Sequence, residues 1–169
     1  PDMVQIGNEI NHGMVWPHGS INNLDSLAQL IYAGINAVKA VSATTSIMLH
    51  IALGGQNDES KFFFDQMILR GIPFDVIGLS YYPKWHNTLA DLEYNLDDLS
   101  RRYNKDVIVV EYSHVKKEVN DRAFSVAGGR GKGSCIWEPL NTWEQFFDKD
   151  GKANDLLKIY DEISGKYLK

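Results

Sequence analysis

Two glutamates carry the chemistry most directly readable in this chain. Glu9 closes the run Val4-Gln5-Ile6-Gly7-Asn8-Glu9, and Glu111 closes Val107-Ile108-Val109-Val110-Glu111. Each run is short and too continuously apolar for a one-sided surface strand, so each reads as a buried strand with a carboxylate at its C-terminal end. A parallel barrel gathers its catalytic groups at that end of its strands, which lets residues distant in sequence meet in one cleft. Two carboxyl groups in unlike environments, one protonated and one ionised, can then divide acid and nucleophile duties between them.

Alternation along each strand sorts side chains onto opposite faces, and the glutamates mark the face that matters. Gln5, Gly7 and Glu9 share a face, as do Val107, Val109 and Glu111. Gly78 and Ser80 align with Tyr82, His50 with Met48 and Ala52, and Trp137 with Cys135. The expectation is one interior wall carrying Glu9, His50, Tyr82, Glu111 and Trp137, which a bulge would invert. Trp16, Trp85 and Trp137 offer flat apolar faces on which a ligand could stack, whereas Trp143, beyond the last strand, reads as packing.

The elements that must position these groups alternate regularly. Leu24, Leu27, Ala28, Ile31, Ile35 and Val38 recur at helical spacing, with Asn22, Asn23 or Asp25 available as a cap. A strand over Ser46–Leu53 leads to a helix over Asp58–Arg70, with Phe63, Met67 and Ile68 inward and Gly71 at its end. Asp75–Tyr82 is a strand stopped by Pro83. Leu89, Leu92, Leu96, Leu99 and Tyr103 form the clearest amphipathic helix. The strand Val107–Glu111, a helix over Lys116–Val126, a glycine-rich turn over Gly128–Gly133 and a strand over Ser134–Glu138 follow. Leu156, Tyr160, Ile163 and Tyr167 mark a closing helix. This alternation predicts an α/β fold of parallel strands joined by right-handed crossovers, a pattern that also fits an open doubly wound sheet.

Four segments resemble glycoside hydrolase family 53, the endo-β-1,4-galactanases, in the family's order. Val4-Gln5-Ile6-Gly7-Asn8-Glu9-Ile10-Asn11-His12-Gly13-Met14-Val15-Trp16-Pro17-His18-Gly19 resembles its acid/base segment. Ile77-Gly78-Leu79-Ser80-Tyr81-Tyr82-Pro83-Lys84-Trp85-His86 is similar to its sixth strand, Val109-Val110-Glu111 to its nucleophile strand, and Ile136-Trp137-Glu138-Pro139 to its eighth. The resemblance implies a TIM (β/α)8 barrel of which residues 1–169 supply only the last five βα units, strands 4 to 8, as part of a single catalytic domain. A complete barrel typically takes about 250 residues.

It further implies a retaining endo-glycosidase acting on β-1,4-galactan or type I arabinogalactan, with Glu9 as acid/base and Glu111 as nucleophile. Asn8 would bond the sugar 2-hydroxyl, Tyr82 would orient Glu111, and His50, Trp16, Trp85 and Trp137 would contact substrate. The resemblance implies a secreted or cell-envelope associated parent protein. Another retaining activity of the same clan, on mannan or a β-glucan, stays open. So does a non-catalytic fragment that binds glycan or a partner chain, or self-associates through exposed strands. Some members carry calcium between the seventh and eighth strands, but residues 112–133 hold no clustered acidic ligands, so neither a metal nor any other cofactor is expected.

Composition narrows the alternatives. With 44% apolar and 23% charged residues the chain can bury a substantial core. A net charge of −5 provides no basic footprint for nucleic acid, and no apolar run reaches the roughly 18 residues of a membrane span. Cys135, the single cysteine, is expected as a small buried thiol. Gly131-Lys132 is followed by Gly133, so the phosphate-loop Ser or Thr is missing. His12 and His18 match no zinc spacing, and Ser113-His114 would point apart on a strand.

Overall fold

Hydrophobic periods of two and of three to four residues alternate along the chain, and the backbone follows them. The computed structural model describes residues 1–140 and 144–168, and Trp143 lies outside them. β1 (Met3–Gln5) is followed by a hairpin of β2 (Gly13–Met14) and β3 (Gly19–Ser20) and by α1 (Leu24–Val41). β4 (Ser46–Ile51), α2 (Asn57–Leu69), β5 (Val76–Tyr81) and α3 (Leu89–Tyr103) come next. β6 (Asp106–Tyr112), α4 (Lys116–Phe124), β7 (Gly131–Ile136) and α5 (Lys158–Tyr167) complete the order.

The large strands form one sheet in the order β1-β4-β5-β6-β7, and every neighbouring pair is parallel. Each new strand is added on the same side of the last. A doubly wound sheet reverses direction at a switch point, and this one does not. The helices agree with that choice. Ile47, Leu49, Ile51, Ile77, Leu79, Tyr81, Val107, Val109 and Tyr112 point into a single core shared with Leu27, Ile31, Phe63, Phe64, Met67, Leu92, Leu96 and Leu99. One face of the sheet is therefore covered by helices, as in a barrel wall, and the other carries the site.

Several placements differ from the sequence expectations. Val107 and Val109 face the helices, not the inner wall, and both are fully buried. β5 pairs Leu79 with Val109 but Ser80 with Glu111, so Val110 is an extra residue in β6. This bulge puts Val110 and Glu111 together on the inner side; a Cβ added at Gly78 would meet Val110 Cγ2 at 3.2 Å and Met48 Sδ at 3.0 Å. In α2 the buried stripe is Ser60, Phe63, Phe64 and Met67, and Ile68 is exposed. Phe64 takes the expected role of Ile68 because it lies on that stripe, packing against Phe63, Phe74 and Tyr103.

β7 begins earlier than expected, inside the glycine-rich turn, and ends at Ile136. Cys135 is exposed, not buried. Ser134 Oγ donates to Asn120 Oδ1 of α4 and Ile136 packs on the core, so Cys135 between them takes the opposite side of an outermost strand.

The connections that flank the site are held by buried polar groups. Asn95 of α3 donates to the Leu53 and Gly54 carbonyls at 2.8 and 2.9 Å, tying the helix to loop backbone, and Leu53 O also accepts from Ser60 Oγ at 3.1 Å. Gly54 has no room for a side chain, since a Cβ would stand 2.5 Å from Ser80 O. The loop after β4 thereby lies flat against the end of β5.

Candidate active site

A turn, not strand alternation, delivers the first carboxylate. Pairing persists one residue past β1, where Ile6 N–H donates to Met48 O at 3.0 Å. Gly7 then takes φ 79°, and a Cβ there would meet Ile10 Cγ2 at 2.5 Å. Glu9 adopts the left-handed conformation, φ 48° and ψ 50°, before a short 3-10 turn over Ile10–His12. That conformation costs a residue with a Cβ about 1 kcal/mol. Gln5, Gly7 and Glu9 were expected to share a face by strict alternation; the strand ends too soon for that, and the turn brings Glu9 over the sheet instead.

Above the sheet the polar side chains close on one another. Ser80 Oγ lies 2.6 Å from Glu9 Oε1 and 2.8 Å from His50 Nε2. His50 Nδ1 lies 3.0 Å from Asn8 Oδ1, which also accepts from Gln5 Nε2 at 3.2 Å. Tyr82 OH donates to Glu111 Oε2 at 3.2 Å, and the Asn8 side chain donates to the same carboxylate. Glu9, His50 and Glu111 each present an atom within 4.8 Å of the others. Both His50 nitrogens are already engaged by Ser80 and Asn8, so this trio suits proton transfer better than the holding of a shared metal ion.

The electrostatics follow from burial and from the crowding of acids. Burial pushes the Glu111 carboxyl up, and any charge on neighbouring Glu9 pushes it further; the bonds from Tyr82 and Asn8 pull against both. The Tyr82 phenol is held far above its usual range by burial and by Glu111, Glu9 and Glu138. Burial lowers His50 to about 4 against the pull of Glu9, and it lowers His86 likewise. Tyr82 and His86 therefore stay neutral near pH 7, and so does His50.

Of the residues singled out from sequence, Asn8, Glu9, His50, Tyr82 and Glu111 meet in this network. His50 is fully buried, so it stands beneath the cleft and reaches anything in it only through Asn8 and Ser80. Trp85 joins at the rim, 52% exposed, with its ring edge-on to Tyr82 at 5.9 Å and Gln56 Nε2 bonded to its carbonyl. Trp137 is 43% exposed, and its backbone N–H donates to Tyr112 O. Trp16 stands between β2 and β3, 62% exposed and outside the bonded cluster.

Sequence reasoning missed Ser80, Gln5 and His86. Ser80 had a readable signal, a polar side chain on the same strand face as Tyr82. His86 had none, because its Nδ1 accepts the Tyr82 N–H only once the loop has turned back.

Comparison with known proteins converges on one family. The model for "Glycosyl hydrolase family 53" matches residues 1–134. The chain is similar to a probable arabinogalactan endo-beta-1,4-galactanase A of Aspergillus flavus, 37% identical over 173 residues covering 83% of this chain and 50% of that protein. An arabinogalactan endo-beta-1,4-galactanase A of Emericella nidulans is 38% identical over 118 residues, covering 65% of this chain and 34% of the relative. Among solved structures, a GH53 catalytic domain of Ignisphaera aggregans superposes with a TM-score of 0.88 at 29% identity, covering 96% of this chain and 59% of that domain. The chain thus spans between a third and a half of these two curated relatives' length.

Proposed function

The chain belongs to glycosyl hydrolase family 53, and on that premise we propose that it supplies the acid/base and the nucleophile of a retaining endo-glycosidase acting on β-1,4-galactan or type I arabinogalactan. The observation that carries the reading is the convergence of Glu9 and Glu111 within 4.8 Å. Retaining glycosidases hold their carboxyl groups about 5 to 5.5 Å apart, whereas inverting enzymes need about 6.5 to 9.5 Å to admit a water between them. The short separation favours direct attack.

In this reading Glu111 attacks the anomeric carbon, and the departing oxygen takes its proton from Glu9. The attacking carboxylate is kept available by the Tyr82 hydroxyl and by Asn8, whose exposed amide would also bond the sugar 2-hydroxyl. Water then releases the glycosyl ester, with Glu9 acting as base. Trp85, Trp137 and Trp16 are exposed and would serve as platforms for sugar rings. A polymeric substrate of this kind is met outside the cell, which is the setting we infer for the parent protein.

Reducing-end release from β-1,4-galactan, with mannan and a β-glucan in parallel, tests the assignment. Glu111→Gln is expected to lower turnover on the order of 10³-fold or more, and the first product formed should keep the β configuration by proton NMR. Equal turnover in the variant would reject Glu111, and preference for mannan or glucan would move the substrate within the clan. Galactan binding without turnover in the unaltered chain would favour the glycan-binding reading.

A further inference from the structure

The hydrogen bonds beneath Glu9 fix where its proton belongs, and the deduction starts from a backbone carbonyl. Gly7 O only accepts, so the Gln5 atom 2.8 Å from it is the amide nitrogen. The same nitrogen lies 3.2 Å from Asn8 Oδ1, which must therefore be the carbonyl oxygen. The other end of the Asn8 amide donates to Glu111, in agreement. His50 Nδ1 stands 3.0 Å from Asn8 Oδ1, an atom with no hydrogen to give, so Nδ1 carries one. Across the ring, Nε2 stands 2.8 Å from Ser80 Oγ, itself 2.6 Å from Glu9 Oε1.

Two proton inventories satisfy every one of these contacts. With Glu9 ionised, the single Ser80 hydrogen goes to Glu9, so Nε2 must donate to Ser80 and the imidazole carries both hydrogens and a positive charge. With His50 neutral, Nε2 accepts the Ser80 hydrogen, and Ser80 Oγ accepts one in turn from a protonated Glu9. An ionised Glu9 beside a neutral His50 leaves two acceptors facing each other. The satisfied inventories hold the same number of protons and differ by moving one from Glu9 through Ser80 to His50.

We propose that Glu9, Ser80 and His50 form a one-proton relay in which Ser80 and His50 are positioning residues that keep the proton on Glu9 in the resting protein. The proposal rests on the reading of Glu9 as the acid. Burial at the floor of the cleft selects the neutral imidazole, as its lowered pKa shows. The charged and titratable groups around the relay favour the same inventory. From β6, Glu111 opposes a second negative charge at Glu9; Glu138, beyond β7, adds negative charge near Tyr82; Tyr82 and His86 stay neutral.

During cleavage the Glu9 O–H bond breaks and its proton passes to the glycosidic oxygen, which keeps the electron pair of the broken C–O bond. Ser80 turns its hydrogen to the new carboxylate, leaving its oxygen lone pairs against Nε2. That mismatch favours recapture of a proton from the incoming water, and the inventory is restored when the sugar leaves.

The test uses this chain with its histidine rings labelled with 15N and its glutamate carboxyls with 13C. The His50 signals, assigned by their loss in His50→Asn, are expected to show a neutral ring with Nδ1–H and a bare Nε2 at pH 7. The Glu9 carboxyl signal is expected to move in Ser80→Ala, which removes the oxygen its proton is held against. An Nε2–H tautomer, an imidazolium at pH 7, or a Glu9 signal indifferent to Ser80→Ala would overturn the relay. Galactan is absent from this measurement, so failure of the substrate assignment leaves the result readable, and the reverse holds as well.

Discussion

Tyr82 and His50 act on the carboxylates in opposite ways, one by donating to an acid and one by refusing charge. Tyr82→Phe removes a hydroxyl that favours ionised Glu111, leaving burial and Glu9 opposed by Asn8 alone. The acidic limb of the pH–rate profile should therefore move to higher pH, and an unmoved limb would show that the bond contributes nothing. His50 bears on stability. Its pKa falls from 6.5 in the unfolded chain to about 4 in the folded one, so between those values the unfolded state binds the extra proton. Stability is full above pH 6.5 and is lost as pH falls through this window, by about 3 kcal/mol at most. Thermal unfolding from pH 7 to pH 4 should show that loss in the native chain and less of it in His50→Gln. At this scale the two glutamates were legible because each ends an apolar run. Gln5 was not, since its importance lies in which neighbour it touches, and spacing carries no such information.

The loop after β4 is held by a helix, so helix stability reaches the site indirectly. α3 begins with a capping box in which Thr88 and Asp91 exchange hydrogen bonds, and it presents Asn95 to the Leu53 and Gly54 carbonyls. Thr88→Ala should cost about 1 kcal/mol in denaturant unfolding. Asn95→Ala should cost more, about 2 kcal/mol, because it takes the side-chain donor from the Gly54 carbonyl and one of the donors from Leu53 O, which keeps Ser60 Oγ. If Asn95→Ala proved as stable as the native chain, the loop would owe nothing to Asn95. The strands and helices themselves were readable from hydrophobic period to within a few residues, α3 to the residue. The bulge at Val110 was not, because an extra residue in a continuous run of valine and isoleucine leaves the pattern of types unchanged. Ile68 was misplaced for a related reason: α2 holds three consecutive phenylalanines, and type alone does not say which of them faces in.

For the molecule as a whole, strand order settled what the alternation of elements left open. Parallel strands with crossovers fit two architectures, and sequential order with helices on one face selects the barrel wall. The sheet leaves β1 and β7 as its outer strands, and unpaired strand edges invite association. Self-association of the chain is the expected outcome in sedimentation, and a monomer at every concentration would remove that expectation. One consequence of the strand order concerns dissection of the molecule. The carboxylates follow β1 and lie on β6, and both strands between them, bearing His50 and Ser80, belong to the same stretch of chain. The distance from acid to nucleophile is spanned by neighbouring strands of one continuous stretch. Exchanging segments outside the stretch from Asn8 to Glu111 would leave the reactive pair intact and alter grip and enclosure, not the alignment of the acids.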